Sequence, residues 1–123
     1  MAEKPISAKV TKVDTRKTGK MFVEDLIVQF ADGPKLREEP FASPILSTEN
    51  LQMWRQTVLS VCLLETVEAG DKRTIKQEDY KDAIVGQSVY IAFGEGVVYG
   101  IGKDAGRMFF PDAYGLFDIA GMD

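Results

Sequence analysis

The chain has 123 residues, with 15 Lys and Arg against 19 Asp and Glu, one cysteine and no histidine. Its length is typical of one domain, which buries enough apolar surface to fold without disulfides or a structural metal. The lone Cys62 and the missing histidines exclude an intrachain disulfide, a cysteine–histidine zinc site and any mechanism with histidine as general base. The net charge of −4 argues against a protein that coats duplex DNA through bulk positive charge.

Nothing in the sequence indicates export or a membrane. The first five residues lack the apolar core of a signal peptide. The longest apolar stretches fall well short of the roughly 20 residues that cross a bilayer. We therefore expect a cytoplasmic protein with no membrane partner.

The first two predicted elements are strands. Residues 5–13 alternate apolar and polar side chains, and Val13 breaks the parity set by Val10, which indicates a bulge or the end of the strand. Residues 15–20 are basic and include a glycine, and residues 21–30 alternate again. The pattern predicts a hairpin whose strands are joined by a long loop.

A third strand follows a strong turn signal. Residues 32–34 read Asp-Gly-Pro, and residues 35–41 return as a strand that Pro40 limits to a short or edge position. Three antiparallel strands in series form a meander.

The middle of the chain predicts helical structure. Residues 47–50 offer an N-cap and an acidic first turn, after which apolar residues recur at three- and four-residue steps. The residues expected to pack this helix on a sheet are Leu51, Trp54, Val58, Val61 and Cys62. Residues 65–77 are polar and predict a surface loop, and residues 78–85 predict a short helical turn that Gly86 ends.

The last third returns to strand patterns. Residues 87–93 alternate, residues 94–96 form a tight turn, and a fifth strand begins over residues 97–101. The apolar run 108–110 can pair as a further strand. Residues 111–123 predict an irregular, acidic and aromatic tail.

This order of elements is typical of a known β architecture. Strand, strand, strand, helix, strand, strand is the order of the OB-fold, a five-stranded Greek-key barrel with a helix between its third and fourth strands. We expect a mainly β, OB-fold-like domain over residues 1–110, with residues 111–123 as a short C-terminal extension.

Four short motifs also suggest a family. They are the opening strand 6–10, the Gly-Lys turn 19–20 before strand 26–30, the helix with Trp54, and the segment 84–91 with its Gly-Gln before a strand. Over residues 6–101 the chain resembles the small single-stranded DNA-binding proteins of bacteriophages. The resemblance implies an OB-fold, single-stranded DNA as ligand, and a role in phage replication or recombination.

Charge is divided unevenly along the chain. Residues 1–37 carry eight basic and five acidic side chains, a net +3, and residues 38–123 carry seven and fourteen, a net −7. On an OB-fold the nucleic-acid groove crosses the second and third strands between the loops joining strands one to two and four to five. The basic candidates for this groove are Lys9, Lys12, Arg16, Lys17, Lys20, Lys35 and Arg37. The alternative is that these side chains simply decorate solvent-facing positions.

Bases of a single strand also need flat side chains on which to stack. Phe22 follows the basic loop, and Tyr90 alternates with buried residues and should lie outside the barrel. The alternative for Phe22 is a place in the core, where we also expect Trp54. The direction of Tyr99 is open.

No pattern points to catalysis, to a metal or to a cofactor. The glycines between residues 94 and 102 miss both the dinucleotide and the P-loop spacing. Adjacent acidic residues on a strand point to opposite faces and are poor chelators. The tail resembles the acidic tips through which bacterial single-strand binders recruit replication and repair enzymes; the alternative is an ordinary frayed terminus.

These observations predict a non-enzymatic protein that coats single-stranded DNA. Because the net charge is weak, useful binding should require homodimers or cooperative arrays. The competing hypothesis is a small β-barrel that serves in a virion, or an acidic inhibitor that occupies the nucleic-acid site of a host enzyme.

Overall fold

The computed structural model describes residues 4–63, 74–104 and 106–111. The elements in chain order are β1 (Ile6–Thr18), β2 (Met21–Asp32), β3 (Lys35–Ala42), α1 (Thr48–Leu63), α2 (Gln77–Ile84), β4 (Ser88–Gly94), β5 (Val97–Asp104) and β6 (Arg107–Phe109). The predicted loop over residues 65–77 and the predicted tail lie largely outside the described residues.

The strands form one antiparallel sheet in the order β3-β2-β1-β4-β5-β6. β1 is central, since it pairs with β2 from Ala8 to Thr18 and with β4 from Ile6 to Lys9. β3 is an edge strand, as Pro40 predicted, because proline has no N–H to donate to a further strand. The mainly β prediction is confirmed, although the sheet has six strands, the sixth being the run that could pair as a further strand.

A bulge in β1 sets which side chains face the core. The register with β2 shifts between Val10 and Lys12. Ala8 and Val10 are buried before the bulge and Val13 is buried after it, so the bulge reverses the parity of the strand. The break in parity that the sequence showed is therefore a bulge, and β1 continues beyond it.

The predicted long loop between the first two strands is wrong. β1 continues to Thr18, which pairs with Met21, and only two residues connect the strands. Gly19 has φ of +62°, which a tight hairpin turn requires and glycine adopts without strain. The polar residues of this stretch stay in the ladder because β2 offers them partners, such as the Glu24 carboxylate that accepts from Thr15 Oγ1 at 2.7 Å.

The core lies between one face of the sheet and helix α1; this face is called the inner face here, and the opposite face the outer face. Leu26, Val28 and Phe30 of β2 are buried on the inner face, as their alternation predicted. Trp54 of α1 is 1% exposed and stacks on Phe41 of β3, with ring centroids 5.5 Å apart. The expected core position of Trp54 is confirmed.

A buried ion pair ties α1 to the sheet. Arg55 Nη2 lies 2.6 Å from Glu24 Oε2, and both side chains are almost fully buried. Arg55 Nη1 also donates to the carbonyl of Ile75 at 2.7 Å, and Gln52 exchanges hydrogen bonds with the backbone of Ile75. The network therefore fixes the segment that leads into α2, and the predicted helical turn there is a two-turn helix that buries Tyr80. Two helices, rather than the single one of the predicted barrel, separate β3 from β4.

Neither of the two described helices is long and apolar enough to cross a membrane.

Candidate nucleic-acid interface

The bulge places three cationic side chains of β1 on the outer face. Lys9 lies on that face before the bulge, and Lys12 and Arg16 lie there after it, although their numbers differ in parity. Without the extra residue, Lys12 would point toward the core side of the sheet. Lys9 and Arg16 are seven residues apart, which corresponds to about 20 Å along a strand. The three cations therefore form a line, called the basic row here.

Tyr90 lies beside the start of the basic row. Val89 and Ile91 are buried, whereas Tyr90 is 38% exposed, as the alternation predicted. Tyr90 pairs with Ser7 of β1, and Lys9 pairs with Ser88. Tyr90 and Lys9 are therefore diagonal neighbours on the outer face, with Cβ atoms about 7 Å apart. An exposed ring and a lysine thus lie within reach of one nucleotide.

Carboxylates stand next to the far end of the basic row. Arg16 Nη1 donates to Asp14 Oδ2 at 2.8 Å and to Asp25 Oδ2 at 3.0 Å. The hydrogen bond and charge of Asp25, followed by the hydrogen bond of Asp14, raise the pKa of Arg16. Lys9 and Lys12 form no ion pair with any other described residue. The row therefore keeps two unpaired lysines and one paired arginine.

Three predicted residues lie at the end of the β1–β2 hairpin. Lys17 and Phe22 face each other across the ladder, and Lys20 is in the turn. Phe22 extends the inner-face row of β2, packs against the core and exchanges backbone hydrogen bonds with Leu46 at 2.7 Å. The structure therefore places Phe22 at the margin of the core, the alternative weighed for it, and away from Tyr90 on the outer face.

The remaining two predicted residues lie at the opposite end of β2. Arg37 pairs with Phe30 on the inner face, and its guanidinium stacks over the Phe93 ring at 4.9 Å. Its Nε donates to Glu39 and its Nη1 to Asp32, which raises its pKa. Lys35 is exposed beside this cluster. The predicted groove across the second and third strands thus receives neither cation on the outer face.

Sequence reasoning missed Asp14 and Asp25 as neighbours of Arg16. The sequence contains the signal. A two-residue turn at residues 19–20 pairs residue 18 with 21, and every further pair up to the bulge also has numbers that sum to 39, as 14 and 25 do. The predicted long loop over residues 15–20 hides this pairing, because it leaves the register of the two strands undefined.

Two further aromatic rings lie close together, one on β5 and one directly after β6. The centroids of Tyr99 and Phe110 are 6.0 Å apart. A Cβ placed on Gly100 would lie 2.5 Å from the Phe110 ring and 3.3 Å from the Cβ of Ala92. Ala92 is two residues after Tyr90 on β4 and therefore lies on the same face of the sheet. Phe110 therefore covers the outer side of β5 at this glycine, on the same face as Tyr90.

No family model, curated protein or solved structure matches the chain.

Proposed function

We propose that the protein binds single-stranded DNA on the outer face, along the basic row and over Tyr90. The observation that carries this proposal is the β1 bulge, because it aligns Lys9, Lys12 and Arg16 on the face that also exposes Tyr90. Phosphates would track the cations while a base stacks on the ring, which is how sequence-tolerant single-strand binding works in general. A role in phage replication or recombination stays a prediction of the family resemblance.

The curvature of the sheet supports an OB-fold-like architecture for this proposal. Cα atoms of the edge strand β3 approach those of β5 within 8 Å, and β6 occupies the far edge of β5 only from Ile101 to Asp104. Pairing of β3 with residues 97–100 of β5 would close a five-stranded barrel with α1 against its interior. The outer face of such a barrel is where OB-folds bind oligonucleotides.

The charges around the basic row limit the affinity of one chain. Asp14, Asp25 and Glu38 share the outer face with the three cations, and Glu38 accepts a hydrogen bond from Thr11 in the bulge. A face with balanced charge favours modest affinity, so we propose that copies of the chain bind a strand as dimers or cooperative arrays.

Titration of a labelled oligothymidine strand at several salt concentrations tests the proposal. If each of the three cations of the basic row neutralises one phosphate, log affinity against log salt should have a slope of about −2. Tyr90→Ala should weaken binding by about 1–3 kcal/mol, and Tyr90→Phe, which keeps the ring, should not. Lys9→Glu with Lys12→Glu should abolish binding, whereas Lys76→Glu with Lys81→Glu, at the exposed N-cap and last turn of α2, changes the net charge equally and is the matched control.

Two results would contradict the proposal. One is a salt slope near zero, and the other is equal affinity for duplex and single strand. Absence of any nucleic-acid binding would favour the alternative, a virion component or an acidic inhibitor of a nucleic-acid enzyme. The net charge of −7 over residues 38–123 is the observation that supports this alternative.

A further inference from the structure

The two arginines of the basic first third have different hydrogen-bonding capacity. A guanidinium carries five N–H donors, and its Nε and Nη2 together form a flat fork that matches two oxygens of a phosphate. In Arg37 the Nε is already bound to Glu39 and one face of the group lies on Phe93. The fork of Arg37 is therefore taken.

Arg16 keeps its fork. Both hydrogen bonds that Arg16 donates to described residues come from Nη1, which spends its two hydrogens on Asp14 and Asp25. Nε and Nη2 bond to no other described residue, and the side chain is 52% exposed. Nε and Nη2 are thus free of other described residues on a half-exposed side chain, while two carboxylates hold Nη1.

The two carboxylates that hold Arg16 differ in burial. The Asp25 side chain is 10% exposed and Asp14 is 43% exposed. Asp25 Oδ1 is buried and has no hydrogen-bond partner among the described residues, so its carboxylate gains its only polar contact of the described chain through Oδ2. Because a buried carboxylate is costly without a partner, Asp25 holds the guanidinium more firmly than the half-exposed Asp14.

We propose that Arg16 binds one phosphate of the strand side-on through Nε and Nη2, and that Asp25 is the positioning residue that orients it. This inference rests on the proposed function. It also gives different roles to two arginines that the sequence predicts as candidates for the same groove. Arg16 contacts the ligand, and Arg37 has a structural role.

Charge-conserving substitutions separate a fork from a simple cation. Arg16→Lys keeps the charge and loses the fork, so it should weaken binding of the oligothymidine strand roughly 2- to 12-fold, the worth of one net hydrogen bond, with the salt slope unchanged. Arg16→Gln should also flatten the slope by about 0.7, the value for one phosphate on a single strand. Arg37→Lys is the matched control and should bind as the parent does. Equal binding by the parent and Arg16→Lys would overturn the fork.

The positioning role is tested by two variants that remove the same charge. Asp25→Asn keeps an oxygen that accepts from Nη1, and Asp25→Ala does not. Asp25→Ala should bind several-fold more weakly than Asp25→Asn, by the same net hydrogen-bond range. Equal affinity of the two variants would overturn the positioning role, because loss of charge is common to both.

A direct measurement covers the case in which a variant fails to fold. In the parent protein, the Nε–H resonance of Arg16 should shift on titration with the strand, and that of Arg37 should not. An unmoved Arg16 resonance in a sample that does bind overturns this inference and leaves the proposed function standing. No binding at all by the parent overturns both.

Discussion

The buried pair of Glu24 and Arg55 provides the sharpest test of what holds the fold together. Arg55 reaches the carboxylate with Nε at 3.1 Å from both oxygens and with Nη2 at 2.6 Å from Oε2. Thr15 adds a hydroxyl donor to the same oxygen. Glu24→Gln keeps the shape but turns one acceptor into an amide donor that faces a guanidinium. The substitution leaves a buried charge without its partner.

The expected cost is large compared with the stability of a small domain. Removing one member of a buried ion pair costs about 3–5 kcal/mol, whereas the whole free energy of unfolding of a small domain is about 5–15 kcal/mol. Urea unfolding measures this directly, with the fluorescence of Trp54 as reporter, since the chain has one tryptophan and it is 1% exposed. Asp32→Asn, which breaks an exposed pair with Arg37, is the control and should leave the unfolding midpoint nearly unchanged.

A double substitution separates the charge from the space it occupies. Glu24→Leu with Arg55→Met replaces the pair by apolar side chains of similar length and should recover most of the lost stability. The Ile75 carbonyl keeps Gln52 as donor in this variant. The reasoning is refuted if Glu24→Gln costs less than about 1 kcal/mol. It is also refuted if the double variant loses as much stability as the single variants Glu24→Leu and Arg55→Met lose when their losses are added.

Three further predictions concern stability. Gly102→Ala should destabilise the fold by about 1–3 kcal/mol or more, because a Cβ there would lie 1.9 Å from the carbonyl oxygen of Arg107. Gly106→Ala is the control, because its Cβ meets only an ordinary contact at 3.4 Å, and urea unfolding curves of the two variants measure the difference. Glu95 has φ of +53° in the β4–β5 turn, so Glu95→Asn should stabilise by up to about 1 kcal/mol, and a lowered melting temperature would contradict this. Burial raises the pKa of the Cys62 thiol from 9.0 to about 12, so the folded state keeps a proton that the unfolded chain loses, and the free energy of unfolding should fall as pH rises through that window. In Cys62→Ala this fall should be shallower by up to about 1.4 kcal/mol per pH unit, and an unchanged slope would exclude the thiol as its cause.

Elements whose residues alternate or recur with a regular period were predictable. The inner faces of β2 and β4 and the packed side of α1 follow from periodicity, because burial of apolar surface is decided by which side a residue faces. The parity break at Val13 indicated a bulge or the end of the strand, and the register with β2 shows that it is a bulge. The extent of β1 was not predictable in the same way, since its last residues are polar and become strand only through partners on β2.

The candidate interface was predictable only in part. The exposure of Tyr90 followed from alternation with Val89 and Ile91. The separate fates of Arg16 and Arg37 did not, because both are arginines near acidic residues in the sequence. Their difference lies in which nitrogen each carboxylate meets, and that depends on the register of β1 with β2 and of β2 with β3.

The sequence by itself determined the class of the protein: one small, mainly β chain without histidine or paired cysteine, with a basic first third and an acidic remainder. Composition and periodicity suffice for this because they report what must be buried and what must stay in water. Only the tertiary structure decided the fate of the charged side chains. Glu24 meets Arg55 across 31 residues of chain, and Asp25 meets Arg16 across a hairpin, since a polar group's partner is set by register and packing rather than by its neighbours in sequence.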